Sequence, residues 1–250
     1  MRTDPKSLFR YRTLSAYSLG ELVNQTMWYA KPTKFNDPFD CALTIDQRRF
    51  SESVRHAIRV GMTRGQIPEN LPEALHAPTE DERAVFLAIR KRIRGAADHL
   101  GLCCFSERSK NILMWAHYAN NHRGFCVEYS RAEGTMLAQE SSLVEYSNRM
   151  PSLSIADLSP EKSAATVETL WRTKAACWRY EREWRALAPE GNKSYPARAP
   201  ILSVIFGARM PKEDKELIRQ ALNGQPNIQL KETYLDETRF ALRLRKSRAA

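Results

Sequence analysis

The run Gly101-Leu102-Cys103-Cys104-Phe105-Ser106, followed by Ile112-Leu113-Met114-Trp115-Ala116-His117-Tyr118-Ala119 and then by Gly124-Phe125-Cys126-Val127-Glu128-Tyr129, decides the fold. The first segment is apolar and short enough for a buried strand, the second reads as a short aromatic helix, and the third returns as a strand. Upstream, Leu8 to Tyr11 alternates as a strand, Ser15 opens an amphipathic helix through Leu19, Leu22 and Val23, and Met27 to Ala30 reads as a second strand. Downstream, strands are expected at Leu143 to Tyr146, Glu183 to Ala188, Leu202 to Phe206, Ile228 to Leu230 and Phe240 to Leu244. Helices are expected from about Pro160 to Ala176 and from Pro211 to Leu222. Many short strands interrupted irregularly by helices give an α+β class with a mixed, mostly antiparallel sheet.

Residues from about Gln47 to Gly65 and from about Thr79 to Leu100 carry helical periodicity, and Pro68, Pro72 and Pro78 break the stretch between them. They read as a helical insertion at about 46–100 within one domain spanning 1–250. Thr79-Glu80-Asp81-Glu82 is a capping-type start that places acids where the helix dipole favours them.

With 250 residues and 42% hydrophobic content, the chain can bury a substantial core without disulfides or a structural metal. Its 39 basic and 29 acidic side chains give a net charge of +10, which makes polyanions or a phosphorylated cofactor the natural partners. The basic runs carry few interleaved aromatics, so a solvated helix face explains them as well as nucleic-acid binding does. No apolar run approaches membrane-spanning length and the start lacks a signal-peptide core, so a cytoplasmic protein is expected. Cys41, Cys103, Cys104, Cys126 and Cys177 show no zinc spacing and read as buried, reduced thiols. There is no Gly-rich phosphate loop, no H-E-x-x-H and no G-x-S-x-G elbow.

The polar segment Phe35-Asn36-Asp37-Pro38-Phe39-Asp40 reads as a rigid loop, because proline fixes its own φ and biases Asp37 away from helical geometry. Asn36 and Asp37 either present polar groups to a ligand or satisfy backbone amides in the turn.

Phe9-Arg10-Tyr11-Arg12, Trp28-Tyr29-Ala30, the F-N-D-P-F-D loop, Cys104-Phe105-Ser106-Glu107, Met114-Trp115-Ala116-His117-Tyr118, Gly124 to Tyr129 and Glu181-Arg182-Glu183-Trp184-Arg185 occur in that order. Over roughly residues 8 to 207 this set resembles the bacterial domain-of-unknown-function family numbered twenty-nine seventy-one. A more distant similarity is to ADP-ribosyltransferase-like domains, which open on a strand carrying Arg or His, continue to an aromatic strand and end with Glu on a late strand. That resemblance implies a split sheet, NAD as cofactor, and a protein or nucleic-acid acceptor or hydrolysis by water. A bacterial toxin or phage-defence role fits the same resemblance.

Under it, Glu183 is the catalytic carboxylate that stabilises an oxocarbenium-like ribosyl group, and His117 is either a proton donor or ribose contact, or a packed, hydrogen-bonded histidine. Arg10 and Arg12 share one strand face, either with Arg12 at the strand end as the pyrophosphate anchor or as a pair of surface arginines on an edge strand. Tyr29 or Tyr118 stacks on nicotinamide or packs in the core, Ser106 occupies the place of a polar strand residue, and Asn36 and Asp37 hold ribose hydroxyls or order the loop. Alternation puts Glu181, Glu183 and Arg185 on one face, where they form either a cleft or a solvated ion network, and puts Trp184 in the core. Trp115 and Trp178 are assigned to the core. Two other readings use the same residues: a metal-dependent nuclease gathering Asp37, Asp40, Glu107 or Glu128 and Glu183 around Mg²⁺, and a noncatalytic binding module.

Overall fold

The structure, a computed structural model, describes residues 4–45, 98–153 and 163–247, together with Lys91 and Gly95. The helical periodicity at 47–65 and most of that at 79–100 therefore lie outside the described residues. The chain forms two compact units, one built from Met1–Ala30, Gly101–Val144 and Cys177–Ala250, the other from Lys31–Leu100 and Glu145–Ala176.

The first unit is organised by strand alternation. In β1 (Ser7–Arg12), Leu8 packs in one apolar cluster while Phe9 and Tyr11 pack in another, so the strand separates two cores. Helix α1 (Ala16–Val23) starts at Ser15, whose hydroxyl accepts the Ser18 N–H while the Ser18 hydroxyl accepts the Ser15 N–H. It buries Leu22, and β2 (Thr26–Tyr29) follows.

In the second unit, β3 (Thr44–Ile45) follows the 3₁₀ turn Pro32–Lys34. The first unit resumes with β4 (Gly101–Ser106), helix α2 (Ile112–Tyr118), β5 (Phe125–Ser130), helix α3 (Met136–Glu140) and β6 (Ser141–Leu143). The second unit continues with β7 (Glu145–Ser147), β8 (Ser152–Leu153), helix α4 (Ser163–Arg172) and β9 (Thr173–Ala175). After the 3₁₀ segment Ala176–Glu181 come β10 (Glu183–Ala188), β11 (Lys193–Pro196), β12 (Ile201–Phe206), helix α5 (Lys212–Ala221), β13 (Gln229–Leu235) and β14 (Leu242–Lys246).

Eight of these strands form the main sheet of the first unit, in the order β14-β13-β12-β5-β1-β4-β10-β6. All of its pairings are antiparallel except β12 with β13, which the intervening α5 makes parallel. Class and strand mix agree with the sequence reading. The larger core holds Leu8, Leu22, Phe105, Val127, Trp184, Val204, Phe206 and Ile218, so α1 and α5 cover that face. The opposite core holds Tyr11, Met114, Trp115, Cys126, Ile205 and Leu242, so α2 covers the other. Tyr11 meets Trp115 edge-on at 5.2 Å, and its hydroxyl donates to the Arg108 carbonyl at 2.5 Å.

Among its described residues the second unit contains two short parallel pairs, β3 with β8 and β7 with β9. Two sequence expectations change here. The strand expected at Leu143 to Tyr146 divides at Val144, because Leu143 pairs with Trp184 while Glu145 pairs with Thr173. The helix expected to reach Ala176 ends at Arg172, because Thr173 to Ala175 are drawn into the ladder with β7. No described helix is long and apolar enough to cross a membrane. All five cysteines are free thiols; Cys103 and Cys126 are buried as expected, whereas Cys41 and Cys104 are half-buried and Cys177 is exposed.

Candidate active site

The C-terminal end of β4 and the start of β10 meet where Ser106 pairs with Glu183, and Phe9 of β1 pairs with Ser106. Directly opposed residues in antiparallel strands share a face, so Glu183 and Ser106 lie on the α2 face with Phe9. Trp184 points the other way into the larger core, as alternation requires. Arg185 returns to the Glu183 face. Its Nε donates to Glu183 Oε1 at 2.7 Å and its Nη2 to Oε2 at 3.1 Å, a bidentate pair with Glu183 3% and Arg185 0% exposed.

Glu181 supplies a second buried carboxylate, 2% exposed, at the end of the 3₁₀ segment. The Tyr118 hydroxyl donates to its Oε1 at 2.7 Å. Between the two acids, Arg182 has φ 49°, a left-handed conformation that costs a side-chain-bearing residue roughly 1–2 kcal/mol. Three bonds hold that kink against the β4–α2 loop. The Ser106 hydroxyl donates to the Glu181 carbonyl at 2.6 Å, the Glu107 N–H donates to the Arg182 carbonyl at 3.2 Å, and Asn111 Nδ2 donates to the Tyr180 carbonyl at 2.7 Å. Asn111 also caps α2, its Oδ1 accepting the Leu113 and Met114 N–H groups. One side chain thus ties the helix start to the acid-bearing turn.

Around the carboxylates lies an aromatic group. Exposed His117 is 6.4 Å from the Trp178 ring and 6.3 Å from that of Tyr180, and Trp178 and Tyr180 are 5.9 Å apart. Trp178 is half-buried in this group, whereas Trp115 is fully buried as expected. The two stapled loops carry Arg108, Lys110, Arg179 and Arg182, none with an ion-pair partner among the described residues. Among the described residues, Glu181, Glu183 and Arg185 are the buried charges of these segments, and the four cations lie on the exposed or half-buried parts of the same segments.

The remaining expected site residues fall elsewhere. Arg10 and Arg12 share a face with Leu8, opposite to Glu183, so the sheet itself separates them from the proposed catalytic acid. Both are taken up by Glu21 of α1, Arg10 at 3.3 Å and Arg12 at 2.9 Å, and Arg10 Nη2 donates to the Trp28 carbonyl at 2.9 Å. Burial and then the adjacent Arg10 charge lower the Arg12 pKa, so Glu21 is what allows two guanidinium groups to lie side by side. Arg12 and Glu183, expected to anchor and to act on the same NAD, thus lie on opposite faces of the sheet.

Tyr29 is fully buried, edge-on to Tyr195 at 5.3 Å, which leaves no ring face for nicotinamide. Ser106, also fully buried, positions the Glu181 turn rather than meeting solvent. Asn36 and Asp37 belong to the second unit, where Asp37 Oδ1 accepts the Phe39 N–H at 2.9 Å and closes the turn. Asp40 of the same loop pairs with Lys174 at 3.6 Å.

Within the first unit, Glu107, Glu128 and Glu183 of the nuclease reading do not converge. Glu128 shares the Glu183 face but stands three strands away, about 14 Å at the usual strand spacing. It is bound by Lys231 at 2.8 Å and by the Ser203 hydroxyl. Glu107 accepts the Trp184 Nε1–H at 2.8 Å, beside the larger core. Among the described residues no group of three or more His, Cys, Asp or Glu is placed to hold a metal ion.

Residues 114–186 match the model of the family described as protein of unknown function, DUF2971, in line with the resemblance read from the sequence. The matched segment contains Tyr118, Glu181, Glu183 and Arg185. No curated protein and no solved structure matches the chain.

Proposed function

We propose that this chain, whose DUF2971-like segment carries both buried acids, is an ADP-ribosyltransferase-like enzyme that cleaves the nicotinamide–ribose bond of NAD at the Glu181–Glu183 turn. The observation that carries the reading is the charge arrangement, a buried carboxylate pair on two joined segments that also carry four cations without an ion-pair partner among the described residues. NAD requires both signs of charge. Its pyrophosphate is anionic, while its ribosyl carbon develops positive character as nicotinamide leaves. Arg108, Lys110, Arg179 and Arg182 attract the first, in the role that Arg10 and Arg12 cannot fill from the other face. Glu183, oriented by Arg185, stabilises the second, and Tyr118 holds Glu181 in place. His117, Trp178 and Tyr180 offer stacking surfaces for the departing ring. The acceptor is water or a macromolecule.

The test is nicotinamide release from NAD by the purified chain, followed chromatographically. Loss of at least about a hundredfold is expected in Glu183→Gln, as for removal of one electrostatic transition-state contact. Arg12→Ala is expected to release nicotinamide normally, provided it folds. No release by the wild-type protein, with or without an acceptor extract, overturns the reading.

A further inference from the structure

In the second unit, the F-N-D-P-F-D loop walls a cavity of about 310 Å³, with Pro32, Thr33, Phe35, Asn36, Asp37, Pro38, Asp40, Cys41 and Asp98 on its surface. That volume is at the small end of the range for small-molecule sites, enough for a compact ligand. The walls are stiff. Pro32 opens a 3₁₀ turn, the Asp40 N–H donates to the Asp37 carbonyl and the Ala42 N–H to that of Phe39, both at 3.1 Å, and Pro38 restricts Asp37.

Among the described lining residues three are carboxylates and none is a cation. Asp40 is partly neutralised by Lys174, both side chains being almost fully buried. Asp37 is 8% exposed, and the Phe39 N–H bond to its Oδ1 is the only hydrogen bond of its carboxylate among the described residues. Its other oxygen is left for whatever fills the cavity. Asp98 likewise has no ion-pair partner among the described residues. A nine-tenths buried carboxylate that lines the cavity is further stabilised by a donor placed there.

We infer that this cavity binds a small organic cation carrying an amine or guanidinium group, such as an agmatine-sized molecule. Asp37 and Asp98 accept charge-assisted hydrogen bonds from the cationic head, Asn36 and Thr33 supply further polar contacts, and Phe35 and Pro38 cover the aliphatic part. The same walls repel a pyrophosphate, so the ribose-binding role first expected for Asn36 and Asp37 gives way to cation recognition. The loop adds specificity because it is already in place before the ligand arrives.

The experiment is calorimetric titration of the full chain with agmatine and with putrescine, in the absence of NAD, so that its outcome is separate from that of the turnover assay. Saturable binding is expected, weakened at least about tenfold by Asp37→Asn and by Asp98→Asn, the scale of one lost charge-assisted bond. Asparagine keeps the turn-closing oxygen at position 37, and Asp98→Asn provides an independent check should that variant fold poorly. Competition by ribose 5-phosphate, binding unchanged in both variants, or no binding at millimolar amine overturns the inference.

Discussion

Glu183→Gln provides the sharpest test of the ionic cluster on which the site is built. Arg185 has no exposed surface and meets both oxygens of Glu183, at 2.7 and 3.1 Å. Removing one partner of a buried pair typically costs about 3–5 kcal/mol, because the other charge is left without its counter-ion in a poorly solvated place. Arg185 keeps other interactions, and glutamine preserves one acceptor, so the low end, about 3 kcal/mol, is expected here. For a chain of this size that lowers the melting temperature by about 6–12 °C. Replacing both residues, as Glu183→Gln with Arg185→Met, removes the stranded charge and is expected to recover most of the loss. Urea denaturation followed by tryptophan fluorescence reads all three proteins. A single variant within about 1 kcal/mol of wild type, or a double variant less stable than the single one, refutes the reasoning.

Glu21→Gln leaves Arg10 and Arg12 facing each other without a counter-charge and is expected to cost about 2–4 kcal/mol in the same denaturation assay, with nicotinamide release per folded molecule unchanged. Glu128 is a source of acid sensitivity: burial pushes its pKa up, but hydrogen bonds from Lys231 and Ser203 outweigh this and hold it below its ordinary value. Its contribution is therefore complete above the unfolded value of about 4.3 and disappears as pH falls through the lower folded value, so Glu128→Gln flattens the acid limb of a stability–pH curve. At Gly207 a Cβ would lie 2.2 Å from the His122 carbonyl oxygen and 2.8 Å from that of Gly124, so Gly207→Ala is expected to destabilise by about 1–3 kcal/mol, read by thermal melting.

Where a segment's own periodicity determines its structure, the sequence reading and the structure coincide. Gly101–Ser106 is a strand at the expected bounds, and Ser15 caps α1, because apolar runs and capping hydroxyls act locally. The split at Val144 and the early end of α4 were not legible, since pairing partners distant in sequence decide both. The strand β11, which pairs with β2, has the same cause. At the site, alternation correctly placed Glu183 and Arg185 together and Trp184 in the core. The same rule put Arg10 and Arg12 on one face but could not say which, because face identity follows from register with β4 and β5. Glu181 is buried through a left-handed Arg182 rather than through strand parity, and no sequence pattern announces that kink. Its bond to Tyr118 spans 63 residues and emerges only with the fold.

Hydrogen–deuterium exchange of the full chain with and without ADP-ribose locates the nucleotide directly. Slowed exchange in the β4–α2 loop and in residues 176–185, with β1 and α1 unchanged, is the predicted pattern. Protection confined to β1, α1 and β2, on the Arg10 and Arg12 side of the sheet, would contradict it.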